Sequence, residues 1–289
     1  MANEDDKRFI TLPHTGPITA TEAEAHFLEE AMLEAKNRRQ SIDQLLQACG
    51  FKPLNEHGSD PLDQVTAGLG SAGLDMLDES GSILISSEAT LRWSAESDIY
   101  FLGLNPGGEA GQDFSIFNRF PTIYESLAFS RMGVSGWDQD WSRKDAGYQP
   151  GQAPLQRRFK HIARFLGLAY GEIFATNLVF ARSRRFKALT RLEEQIEACL
   201  PVHKIMMDIV QPKRLWVMGN TDHAGSALTL HDDVTWQDAN HSNWTIGHGT
   251  VDFCGHTMSL CHTPHLSLWD ATADDKQDLL KFAFGKRTR

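Results

Sequence analysis

The chain of 289 residues carries 28 Lys and Arg against 38 Asp and Glu, a net charge of −10 with histidine neutral. A hydrophobic fraction of 41%, with 16 Phe and 7 Trp, supplies enough apolar surface for a sizeable core and excludes global disorder. No apolar run approaches the ~20 residues that span a bilayer, and the acidic opening MANEDDKRF is unlike a secretory or transit segment, so a cytoplasmic protein with no membrane partner is expected.

Two short helices are expected first. Thr21 and Glu24 have the spacing of a capping box ahead of Phe27, Leu28, Ala31, Met32 and Ala35, and Ser41 and Gln44 open a second run that Gly50 can close. Residues 52–73, rich in Pro, Gly, Ser and Asp, read as loop. A strand or pair of strands is expected at Ile83–Ile85 and Leu91–Trp93. Residues 1–95 therefore read as a helical extension packed on a main domain of residues 96–289.

Beyond residue 96 strands and helices alternate. Apolar strands are expected at 99–104, 173–180, 215–219 and 258–262. Helices are expected at 154–168, at 189–210 with a break or restart at Pro201, and at about 273–284. This order implies an α/β fold, a three-layer α/β/α domain around a four-stranded, mainly parallel sheet. Ligands in such sheets sit beyond the carboxyl ends of the strands. Asn105 follows the first strand, Asn177 lies toward the end of the second and His262 ends the fourth, so all three are candidates for one cleft.

The turn Gly103-Leu104-Asn105-Pro106-Gly107-Gly108 is neither a dinucleotide fingerprint nor a P-loop, and no nucleophile elbow of the G-x-S-x-G kind occurs. Its glycines and proline suggest either an ordinary Asn-Pro turn or a rigid turn that lets a substrate approach the backbone while Asn105 is aimed into the cleft. Cys49, Cys199, Cys254 and Cys261 form no C-x-x-C pair, and His241, His248, His256, His262 and His265 make no compact ligand signature. Reduced thiols, no metal and no cofactor are expected.

Three of these segments together resemble the uracil-DNA glycosylase superfamily. Gly103–Gly107 is similar to the first motif of its mismatch-specific and single-strand-selective branches. Residues 175–180, Ala-Thr-Asn-Leu-Val-Phe, resemble the strand that carries a base-reading Asn. Residues 261–267, Cys-His-Thr-Pro-His-Leu-Ser, resemble the closing His-Pro-Ser-Pro-Leu-Ser motif. The likeness covers residues 96–289 and implies a base-excision enzyme that flips a uracil, or a related damaged base, out of DNA and hydrolyses its N-glycosidic bond.

The resemblance assigns roles residue by residue. Asn105 would hold the attacking water through its carbonyl oxygen; His262 would donate a hydrogen bond to the base as negative charge develops on it. Asn177 would read the base edge, with Gly103 and Leu104 beside it and Phe117 or Phe129 stacking on the ring. Spacing from Asn105 favours Phe117. Arg182, Arg184, Arg185 and Lys187 would meet phosphates, Leu266 would fill the vacated stack or make an ordinary loop contact, and Ser267 closes the motif. Arg157, Arg158 and Lys160 read as a solvated face. Exchange of roles between His262 and His265 stays open.

The sequence also departs from the pattern. Residues 108–153, with Trp137, Trp141 and Tyr148, are longer than the family's link and read as a lid, a base-context reader or an insertion. The closing motif has Thr-Pro-His where the family has Pro-Ser-Pro. A non-catalytic protein that keeps the fold and binds nucleic acid or a nucleotide is the rival expectation, supported by the acidic net charge.

Overall fold

A computed structural model describes residues 80–93, 98–107, 135–139, 148–183 and 191–285, together with single helical positions at 61, 64, 65, 123, 126 and 130. The two helices expected near the amino terminus lie outside these residues. Within 52–73, read as loop, Pro61, Gln64 and Val65 are helical, and Val65 is fully buried in the core.

The sheet is built on β1 (Ile99–Gly103), whose five residues are all buried. A strand apolar on both faces is what a central parallel position requires. It pairs in parallel with β2 (Phe174–Asn177) on one side and β3 (Arg214–Met218) on the other. β7 (His256–Thr263) continues the parallel set beyond β3. Four parallel strands are thus present, but the sheet is not four-stranded. β6 (Thr245–Phe253) runs antiparallel to β7, and β4 (Leu228–Leu230) and β5 (Thr235–Asp238) pair with the other edge of β6. The result is a mixed sheet of seven strands in the order β2-β1-β3-β7-β6-β4, with β5 beside β6.

Helices cover both faces. Tyr100, Leu102, Leu215 and Val217 pack with Ile196, Val202 and Met206 of α3 (Leu192–Val210). On the opposite face Ile99, Phe101 and Trp216 meet Phe159 and Ile162 of α2 (Pro154–Phe165) and Leu279 and Leu280 of α4 (Gln277–Phe284). Trp137 stacks on Phe159 with centroids 3.7 Å apart, and Phe159 stacks in turn on Trp216 at 5.3 Å. Trp137 is therefore a core residue and not part of a lid.

Three local expectations change. α3 continues through Pro201 without a break; Pro201 and Glu197, whose carbonyl loses its partner, both lie on the exposed side. Residues 89–93 form a short helix, α1 (Ala89–Trp93), where a strand was expected. Thr90 Oγ1 bonds to Ser87 O and Thr90 N–H to the same carbonyl, a turn that starts a helix. Ile83–Ile85 instead runs along the free edge of β2: Leu84 bridges Thr176, and Thr176 Oγ1 donates to Ile83 O. No helix among the described residues is long and apolar enough to cross a membrane.

Candidate functional site

The chain leaves β1 toward β2 and leaves β3 toward β7, so the connections diverge between β1 and β3. An open α/β sheet has its ligand crevice at this divergence, outside the carboxyl ends. Leu104 and Asn105 follow β1 there, and Gly219 follows β3.

Two asparagines flank Gly103. Asn105 is half-buried and gives its amide Nδ2 to Pro106 O at 2.9 Å and Ser183 O at 3.1 Å. Both carbonyls can only accept, so the NH2 is fixed and Oδ1 is the atom left for another partner. Asn177 is 5% exposed and its carboxamide makes no hydrogen bond to a described residue. It lies so close to β1 that a Cβ on Gly103 would stand 2.4 Å from its Oδ1. Gly103 thus makes room for Asn177, a different use from the close substrate approach read in the sequence.

The loop after β1 is tied to the segment after β2. Val179 N–H donates to Leu104 O at 2.8 Å, Ser183 N–H to Pro106 O at 3.0 Å, and Arg182 Nη1 to Gly107 O. Burial lowers the Arg182 guanidinium to about 10. Arg182 thus clamps the Asn105 turn, a role that its reading as a phosphate contact did not include.

His262 is 4% exposed. Its Nε2 bonds to Gly219 O, so Nε2 carries the proton, and Nδ1 is buried with no hydrogen-bond partner among the described residues. Burial lowers its pKa to about 4, which keeps the imidazole neutral near pH 7. Trp236 stands edge-on to the ring at 5.1 Å. It reaches His262 across Gly247, where a Cβ would come within 2.5 Å of the indole. Trp236 is 40% exposed and presents an aromatic surface beside the histidine. Sequence reasoning missed it, because it sits on β5, a strand whose four residues are all exposed.

The register separates two of the three candidates. His262 shares a rung with Val217 and Leu102, on the α3 face. Asn177 lies two residues beyond Ala175, which packs on the α2 face. Asn105, Asn177 and His262 therefore reach one edge of the sheet, but Asn177 and His262 leave it on opposite faces. Their strands are three spacings apart, roughly 14 Å.

The remaining site residues divide. Leu266 is fully buried in the α2-side core, which removes it as a wedge; two residues on, Leu268 is 62% exposed. Ser267 is exposed and its hydroxyl bonds to His265 Nδ1 at 2.6 Å. Phe117, Phe129, Arg184, Arg185 and Lys187 lie outside the described residues. Among the described residues no group of three His, Cys, Asp or Glu side chains is placed to hold a metal ion. Compared with known proteins, the chain matches no family model and no curated relative.

Proposed function

We propose that the chain is a DNA glycosylase that hydrolyses the N-glycosidic bond of uracil or a related damaged base. The observation that carries this reading is the pair of carboxamides around Gly103. Asn105 has its NH2 tied down and Oδ1 left over, and Asn177 has neither end bonded to a described residue. The resemblance of the three motifs to the uracil-DNA glycosylase superfamily supports the same conclusion.

In this reading Asn105 Oδ1 accepts a hydrogen bond from a water and orients its oxygen toward C1′. Asn177 offers a donor and an acceptor side by side, which match the O4 and N3–H of uracil and mismatch cytosine. As the C1′–N1 bond breaks, its electron pair goes to the base, the water oxygen bonds to C1′, and the proton that the water loses passes through solvent to the departing base anion. His262, neutral, donates a hydrogen bond to the base oxygen as that charge grows. For this the Nε2 proton must leave Gly219 O, and the base must lie over the carboxyl edge to meet side chains from both faces. An amide cannot take the water's proton, so turnover should be slower than with a carboxylate in that place.

A second reading has its own support: with the Nε2 proton already given to Gly219 O, the site as it stands would bind a base without cleaving it. The full chain incubated with single- and double-stranded oligonucleotides containing uracil separates the two. Release of free uracil with an alkali-labile abasic site is expected, falling by roughly 10²-fold or more in Asn105→Ala. DNA binding with no release at high enzyme concentration would leave the second reading standing and remove the first.

A further inference from the structure

On α2, Arg157, Lys160, His161 and Arg164 recur at positions i, i+3, i+4 and i+7, which lie on one side of a helix. That side and the loop leaving β7 enclose a groove of about 290 Å³, with Arg158, Asp270 and Thr272 also in its wall. The volume is at the lower end of what ligand pockets use. Because α2 ends shortly before β2 begins, its first turns lie toward the carboxyl edge of the sheet. Arg158 Nη1 donates to Leu266 O at 2.8 Å, which joins the groove to the loop that leaves β7 just after His262.

The charges in the groove do not cancel. Asp270 is held by Arg158 at 3.2 Å and by the Thr272 hydroxyl at 2.7 Å. Lys160 is held by Asp138 at 2.8 Å. Arg157 and Arg164 are exposed, and neither forms an ion pair with a described residue. Arg164 gives its Nε to Lys160 O at 3.3 Å, which leaves its two terminal nitrogens and the Arg157 guanidinium to face the groove, in a chain whose net charge is −10. Seven residues of helix set them about 10 Å apart, far enough for each to meet a different phosphate of one strand. A guanidinium fork matches two phosphate oxygens at once.

From this geometry we infer that the groove between α2 and residues 266–272 takes the phosphodiester backbone of a nucleic acid whose base enters the site at the carboxyl edge. The inference rests on the glycosylase reading for the identity of that nucleic acid. It gives the arginines of α2 a task that the run from Arg182 to Lys187 was expected to carry.

The test uses an ordinary 20-mer without uracil, followed by fluorescence anisotropy at two salt concentrations, for the wild type and Arg157→Ala/Arg164→Ala. Both side chains are exposed, so an unchanged Tm serves as the control for folding. The double variant should bind roughly tenfold more weakly, and its plot of log K against log salt should be shallower by roughly one to two. Equal affinities and slopes, or no binding by the wild type, overturn the inference. So does an arm in which inorganic phosphate raises the Tm of the wild type alone while oligonucleotide binding does not differ, because the groove would then serve free phosphate. The two proposals fail separately: arginine-dependent binding without uracil release removes only the glycosylase reading. Uracil release with binding indifferent to the arginines removes only the groove.

Discussion

A methyl group on Gly103 would stand 2.4 Å from Asn177 Oδ1 and 3.7 Å from the end of Met218. The nearest atom is the tip of a side chain and not backbone, so Gly103→Ala can be relieved by rotating the carboxamide of Asn177 away. The fold should survive with a loss of at most about 1–2 kcal/mol, whereas the base-reading geometry that we propose for Asn177 should not. Uracil release is expected to fall by an amount close to that of Asn177→Ala. The double substitution should cost little more than either single one, because both remove the same contact. Additive losses would mean that Gly103 acts on the substrate directly, as the sequence alone suggests. Asn105 is oriented without masking its Oδ1. Its two hydrogen bonds go to backbone carbonyls whose positions are set by the pairing of the loops after β1 and β2, and Arg182 holds the outer end of that turn.

Elements differ in how plainly their sequences announce them. α3 keeps its helix through Pro201, at the loss of one backbone hydrogen bond on the exposed side. Pro201→Ala restores the donor and should stabilise the protein by about 1–3 kcal/mol, a rise in Tm of about 2–4 °C per kcal/mol for a chain approaching this size; thermal unfolding of the two proteins measures it. The four parallel strands were legible because strands buried on both faces are short apolar runs. β4 and β5 were not, since six of their seven residues are exposed, and in β6 Gly247 and Gly249 interrupt the alternation. The candidate site was legible where it depends on strand ends, at Asn105, Asn177 and His262. It was illegible where it depends on neighbours across strands: the edge-on contact of Trp236, the carbonyl of Gly219, and the alternation that sends Asn177 and His262 to opposite faces. Leu266 was misplaced for a related reason. A loop sequence does not tell which of two leucines, Leu266 or Leu268, the fold turns inward.

Across the whole molecule, burial has left two histidines neutral, and this ties stability to pH. His203 is fully buried on the α3 face, accepting from the Tyr100 hydroxyl at Nδ1 and giving its Nε2 proton to Leu178 O. Burial lowers it from 6.5 to about 4, as it does His262. Above pH 6.5 each is neutral whether the chain is folded or unfolded, and neither affects the balance. Below 6.5 the unfolded chain takes up protons that the folded chain refuses, so stability falls until about pH 4, at about 1.4 kcal/mol per pH unit for each histidine. His265, also lowered by burial, adds in the same direction. The aspartates held low by hydrogen bonds, Asp208 and Asp270 among them, lose their contribution only as pH falls through and below their ordinary 3.8, so the two windows are distinct. Urea unfolding at pH 7.5 and pH 5 should therefore differ by about 4 kcal/mol from His203 and His262 together. His203→Gln should be less stable at pH 7.5 yet lose about half of that difference, since one of the two titrating groups is gone. A free energy of unfolding unchanged from pH 7.5 to 5 would mean that the buried imidazoles take up protons in the folded state, and the neutral donor assigned to His262 would go with them.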